Sequence, residues 1–165
     1  DSYGSRGLGD VYKRQDYVRE IKVKAEKLGA AIQMTGFIPP SEVADYFLLG
    51  DIFVCASQWE EPLARVHYEA MATGLSTITT NRGGNPEVII PGKNGIVITD
   101  YENSGAFADR IDYLLSRPNK REEMGRRGRE LAELHYGWSR VAWDILSVIN
   151  DSGLMSSLEK LGQAG

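Results

Sequence analysis

The stretch "DIFVCASQWEEPLARVHYEAMATG", residues 51–74, decides the fold. Ile52, Phe53, Val54 and Cys55 form an unbroken apolar run of strand length, which predicts a strand covered on both faces. The residues that follow read as a loop and then a helix, ended by Gly74. Pro62 suits the first turn of that helix, and small Ala64 would let an anion approach the backbone amides closely. Glu61 and Glu69 stand eight positions apart. If the whole span is helical, the rise of ~1.5 Å per residue separates them by about 12 Å. Two carboxylates at that distance are poorly placed to share one proton or one metal ion. They suit the two ends of an extended polyol ligand, and they suit equally well a solvated helix face.

Working outward, the same alternation recurs. Residues 16–29, "DYVREIKVKAEKLG", carry Val18, Ile21, Ala25 and Leu28 at helical spacing and stop at Gly29. "AIQMTGF" at 31–37 reads as a strand, and "PPSEVADYFLLG" as a helix entered through paired prolines with Ser41 as its N-cap. After Gly74, "STITT" is a strand, "NPEVII" a short helical turn, "PGKNG" a turn and "IVIT" a last strand. Strands alternating with helices predict a parallel α/β layer, a Rossmann-like sheet with helices on both faces. Beyond Asp100 the strands stop. Residues 104–116 and 119–136 read as helices divided by Pro118. "WSRVAWDILSVI" forms a third, with Trp138, Val141, Ile145 and Val148 on one face.

The chain is 165 residues long with a net charge of -4, which gives no general attraction to nucleic acid or to an anionic membrane. "RRGR" at 126–129 is surrounded by Glu122, Glu123, Glu130 and Glu133, the composition of a solvated helix face. Cys55 is the one cysteine, so no intramolecular disulfide forms; this fits a reducing, cytoplasmic compartment. No apolar stretch approaches the ~20 residues that span a bilayer. Residues 1–15 show neither period and are expected to be a non-native or disordered segment, their "GDVYKRQ" tail resembling adapter read-through. Residues 16–150 are the folded part, and residues 151–165 a flexible Ser/Gly-rich tail.

In parallel α/β sheets ligands gather at the carboxyl ends of strands, where helix N-termini present backbone N–H groups. Junctions of this kind fall at 36–41, 57–64 and 81–86. The paired Gly83 and Gly84 of the last permit close backbone approach to a ligand, or simply a turn. No Walker lysine or G-x-G-x-x-G is present. His67 and His135 have no partner at metal-ligand spacing, and Ser57 lacks the G-x-S-x-G setting of a hydrolase nucleophile.

Together, "ADYFLLGDIFVCASQWEEPLARVHYEAMATGLSTITTNRGGNPEVIIPGKNGIVI" resembles the second domain of retaining glycosyltransferases of family 4, which have the two-domain GT-B fold. The shared features are Glu-x7-Glu with proline after the first Glu, then "EAMATG", a strand, the GG loop, "PEVI" and "GKNG". The resemblance covers residues 16–150. It implies that Glu61 is the catalytic carboxylate facing the donor sugar. The amides of Leu63, Ala64 and Arg65 would meet the sugar and diphosphate. Glu69 would bind the ribose, Phe37 and Ile38 the base, and Gly83 and Gly84 would line the donor. The donor would be a UDP- or GDP-sugar, with no metal and no other cofactor; the acceptor, whether glycan, lipid or protein, is unspecified.

Two departures accompany the resemblance. The family usually has Phe-Gly where this chain has Leu63 and Ala64, which costs some freedom at the close approach. The family's Gly-Arg loop and its diphosphate-binding Arg and Lys would also precede Asp16. The chain is therefore expected to be a C-terminal portion holding about half of a donor site. Its partner would be an N-terminal GT-B domain that binds acceptor and supplies a catalytic histidine. The alternatives are a non-catalytic structural or coat-associated protein that keeps the fold, and a nucleotide-sugar epimerase, which shares GT-B architecture but not the "EPLARVHYEAMA" pattern.

Overall fold

The computed structural model describes residues 8–60, 62 and 64–151. In chain order the elements are α1 (Leu8–Leu28), α2 (Val43–Leu48), β1 (Ile52–Cys55), α3 (Arg65–Ala72), β2 (Ser76–Thr80), α4 (Asn85–Val88), β3 (Gly95–Ile98), α5 (Ser104–Leu115), α6 (Pro118–His135) and α7 (Trp138–Asp151). The chain divides into two compact units, Asp1–Ile38 and Pro39–Gly165.

The first unit contains α1, which buries Ala25, half-buries Val18 and Ile21, and ends where Gly29 turns to φ +64°. Its backbone is already helical from Leu8, upstream of the Asp16 start that periodicity indicates. The expected strand over residues 31–37 does not form. A strand is defined by its ladder, and no described strand pairs with this segment. Ile32 and Met34 stay exposed, and Gly36 at φ +69° breaks the extended path.

The second unit is built on a parallel sheet in the order β1-β2-β3. The register sets Ile78 between Val54 and Ile96, and Phe53 beside Thr77. Alternation along the strands divides the core into two. On one face Ile78, Ile98, Leu114 and Met124 pack together with Ile52 and Ile96. On the other, Met71, Val88, Ile89 and Ala132 pack with Tyr68 and Val97. Helix α6 contributes Met124 to the first cluster and Ala132 to the second. Every residue of β2 is buried, as its central place requires. β1 differs from its prediction, because its residues are only partly covered and Val54 is 38% exposed. It is the outer strand of this sheet, with β2 on one side only.

Two helix starts also differ. α2 begins at Val43 after a turn in which the Glu42 N–H bonds the Pro39 carbonyl, so Glu42 rather than Ser41 is the N-cap. α3 begins at Arg65 with Ala64 as its extended N-cap, so Pro62 lies in the loop and not in the first turn. Its other end follows the prediction. Gly74, at φ +80°, donates to Met71 O at 2.9 Å and Leu75 N–H to Ala70 O at 3.0 Å, a Schellman closure. The basic cluster is a solvated face. Arg126 pairs with Glu130, Arg127 with Glu123 at 2.6 Å and Arg129 with Glu133 at 2.8 Å. The apolar face of α7 is exposed, with Trp138 at 87% and Trp143 at 70%. Among the described residues no helix is long and apolar enough to cross a membrane.

Candidate functional site

The carboxyl edge of the sheet carries the loops after β1 and β2 and the N-terminus of α3. What anchors that helix is His67. Its ring is buried, with Nδ1 3.0 Å from the Ala64 carbonyl and Nε2 2.8 Å from Thr79 Oγ1. A carbonyl can only accept, so Nδ1 carries the proton there, and Nε2 receives the threonine hydroxyl. Phe53 meets the imidazole edge-on, with centroids 6.0 Å apart. The first turn of α3 is thus tied to the central strand. Sequence reading set His67 aside as no metal ligand and missed this role; a histidine two positions before Glu69, on the face carrying Ala70 and Met71, is the signal that was there.

The opposite, exposed face of α3 carries Arg65 and Glu69. Both line a cavity of about 430 Å³ between α2 and α3, with Thr73 on the same wall. Val43, Ala44 and Phe47 form the other wall. Cavities of this size hold small ligands, and one apolar wall facing one charged wall suits a flat ring bearing hydroxyls and anionic groups. Ala64, the N-cap of α3, is buried.

The GG loop adopts the expected conformation in part. Gly83 has φ +51°, while Gly84 is buried as the N-cap of α4 with φ −79°. The Gly83 N–H donates to Glu60 Oε2 at 2.7 Å, and Glu60 Oε1 lies 2.7 Å from Arg82 Nη2. Glu60 was not among the residues singled out from the sequence. Glu61 and Leu63 lie outside the described residues, so the structure brings Ala64, Arg65 and Glu69 together on one helix and sets Gly83 and Gly84 in the neighbouring loop. Phe37 is exposed and Ile38 half-buried at the end of the first unit. Tyr68, also on α3, packs at a 56° tilt against Tyr136 with ring centroids 4.4 Å apart, and burial, then Tyr136, then Glu87, raise its phenol above the ordinary value.

Residues 8–131 match the family described as Glycosyl transferases group 1. The chain belongs to that family. A relative from Bacillus subtilis (strain 168), named Spore coat protein SA, is 48% identical over 145 residues, which are 88% of this chain and 38% of the relative. The chain therefore spans well under half the length of that protein. Among solved structures, it is similar to the C-terminal domain of a group 1 glycosyl transferase (LpcC) from Francisella tularensis. That likeness has a TM-score of 0.67 and 30% identity over 74% of this chain and 64% of the other. It also superposes on Anabaena Alr3699/HepE in complex with UDP with a TM-score of 0.77, at 22% identity over 85% of this chain and 38% of that one. The fold is that of the C-terminal domain of a GT-B glycosyltransferase.

Proposed function

We propose that this chain is the donor-binding part of a retaining, metal-independent glycosyltransferase of family 4, acting on a nucleotide sugar. The observation that carries the reading is Glu69 on the wall of the cavity between α2 and α3, one turn from Arg65, at the carboxyl edge of a parallel sheet. Glu69 would accept the ribose hydroxyls, and Val43, Ala44 and Phe47 would cover the apolar side of the nucleoside. The amide end of α3 and the Arg65 guanidinium would stabilise the negative charge that develops on the leaving diphosphate, with no metal needed. Glu61 would face the donor sugar. UDP is the nucleotide that HepE holds in its complex, and it is the first donor base to test.

In this reading the acceptor site and a catalytic histidine belong to a separate N-terminal domain, and the location is cytoplasmic. Calorimetric titration of the full-length protein with UDP and GDP tests the proposal; binding of neither would overturn it. The chain of 165 residues alone is expected to release or transfer no sugar from UDP- or GDP-sugars. Turnover by the purified chain would show that its own residues complete the active site.

A second reading has an observation in its favour. The 48% identical relative is named as a spore coat protein, and Leu63-Ala64 replaces the usual Phe-Gly at the close approach to the donor. A coat-associated protein that retains the fold without catalysis would keep the cavity but lack nucleotide affinity. The same titration separates the two.

A further inference from the structure

Three loops at the carboxyl edge of the sheet converge on one side chain. Arg82 Nε donates to the Gln58 carbonyl at 3.2 Å, its Nη2 meets Glu60 Oε1 at 2.7 Å, and its guanidinium lies 4.9 Å from the centroid of Tyr101. The loops after β1, β2 and β3 are thereby joined. Glu60 closes the arrangement, because its second oxygen accepts the Gly83 N–H at 2.7 Å. A further tie runs from Thr80 Oγ1 to the Ser57 carbonyl at 2.6 Å. An ordinary exposed ion pair would leave one carboxylate oxygen to water. Here both oxygens are committed, one to a side chain and one to the backbone of the paired-glycine loop.

We propose that Glu60 is a positioning residue for the donor sugar, and that it acts through Gly83 and Arg82 without touching the substrate. Gly83 stands at φ +51° and has no side chain to define its orientation. A backbone of this kind is free to turn its N–H elsewhere, and the carboxylate removes that freedom. Arg82 is 29% exposed over its side chain, so the clasp has a partly desolvated core although Glu60 itself faces solvent. Glu60 directly precedes Glu61 in the chain. None of Glu60, Arg82 and Gly83 lines the α2–α3 cavity on which Glu69 stands, and this division of residues gives the proposal its signature. Loss of Glu60 disturbs recognition of the sugar and spares recognition of the nucleoside. The inference rests on the nucleotide-sugar reading above and deepens it.

The test compares UDP with UDP-glucose on the full-length protein, using Glu60→Gln, Glu60→Ala, Arg82→Ala and the double variant. UDP-glucose binding is expected to weaken roughly three- to tenfold in Glu60→Ala, the scale of one charge-assisted contact discounted for exposure, with UDP affinity unchanged. Arg82→Ala should reproduce the effect, and the double variant should lose no more than either single one. Glu60→Gln, which keeps an acceptor for the Gly83 N–H, should retain most of the affinity. The Gly83 amide proton should resonate downfield in the wild type and move upfield in Glu60→Ala, a readout that needs no ligand. An unmoved Gly83 resonance overturns the clasp. Equal losses for UDP and UDP-glucose, or no loss for either, overturn the positioning role while leaving the nucleotide-sugar reading intact. Failure of the wild type to bind either ligand overturns that reading and the positioning role with it.

Discussion

Glu69→Ala in the full-length protein is expected to weaken nucleoside diphosphate binding by about ten- to hundredfold, while Glu61→Ala mainly lowers turnover. A hydrogen bond to a charged group is worth about 1.5–3 kcal/mol, and that sets the range. The magnitude also depends on how firmly the carboxylate is held. Glu69 projects from a helix whose other face is locked in place, with Ala70 and Met71 fully buried and His67 tied to the central strand. Little ordering of the backbone remains to be done when a ribose arrives, so little of the contact is lost to entropy. Glu69→Gln keeps an acceptor at the same place without the charge, and should fall between the wild type and the alanine variant. Titration calorimetry with UDP measures all three. Unchanged affinity in Glu69→Ala would remove the ribose assignment, and a large loss in Glu61→Ala would mean that the two carboxylates share the nucleotide end.

That Glu69 stands on a helix was legible in the sequence because the run after the loop stops at Gly74; which face it takes was not, since that depends on Ala70 and Met71 being buried. β2 and β3 were legible for a similar reason, since short β-branched runs bounded by glycine and a turn have few other uses. Strand 31–37 was not. Its residues favour extension, but a strand exists only with a neighbour, and local pattern says nothing about whether one is present. The cap positions at Ser41 and Pro62 were misplaced by a residue or more because side-chain preference ranks candidates without deciding where the first helical hydrogen bond forms. Glu60 went unread because Glu61 stands beside it in a recognisable motif. Its partners, Arg82 and Gly83, lie more than twenty residues away. Charge clasps between loops leave no periodicity to find.

Gly125 and Gly128 were likewise passed over, although glycine inside a helix costs ~1 kcal/mol relative to alanine and so asks for a packing reason. Gly125 supplies one. A Cβ at this position would stand 1.9 Å from the Gly74 carbonyl oxygen and 3.0 Å from its carbon. Both atoms belong to the Schellman turn that ends α3, whose bonds to Ala70 and Met71 hold it rigid. Ordinary carbon–oxygen contacts lie near 3.3–3.6 Å, so α6 and the turn would have to separate by on the order of 1 Å. That movement would pull Met124 and Ala132 away from both core clusters at once. Gly125→Ala is therefore expected to destabilise the domain by about 3 kcal/mol or more, at the upper end for overpacking. The neighbouring glycine is the control. A Cβ at Gly128 would have side-chain atoms as its three nearest neighbours, from Met71 at 3.4 Å and Asn94 at 3.8 Å, which are ordinary contacts. Gly128→Ala should be near neutral, the gain in helix propensity offsetting a small adjustment of the methionine. Urea denaturation of the wild type and both variants measures the contrast. If Gly125→Ala came within about 1 kcal/mol of the wild type, less than the usual cost of forcing atoms into a packed interior, the close seating of α6 on the end of α3 would not hold.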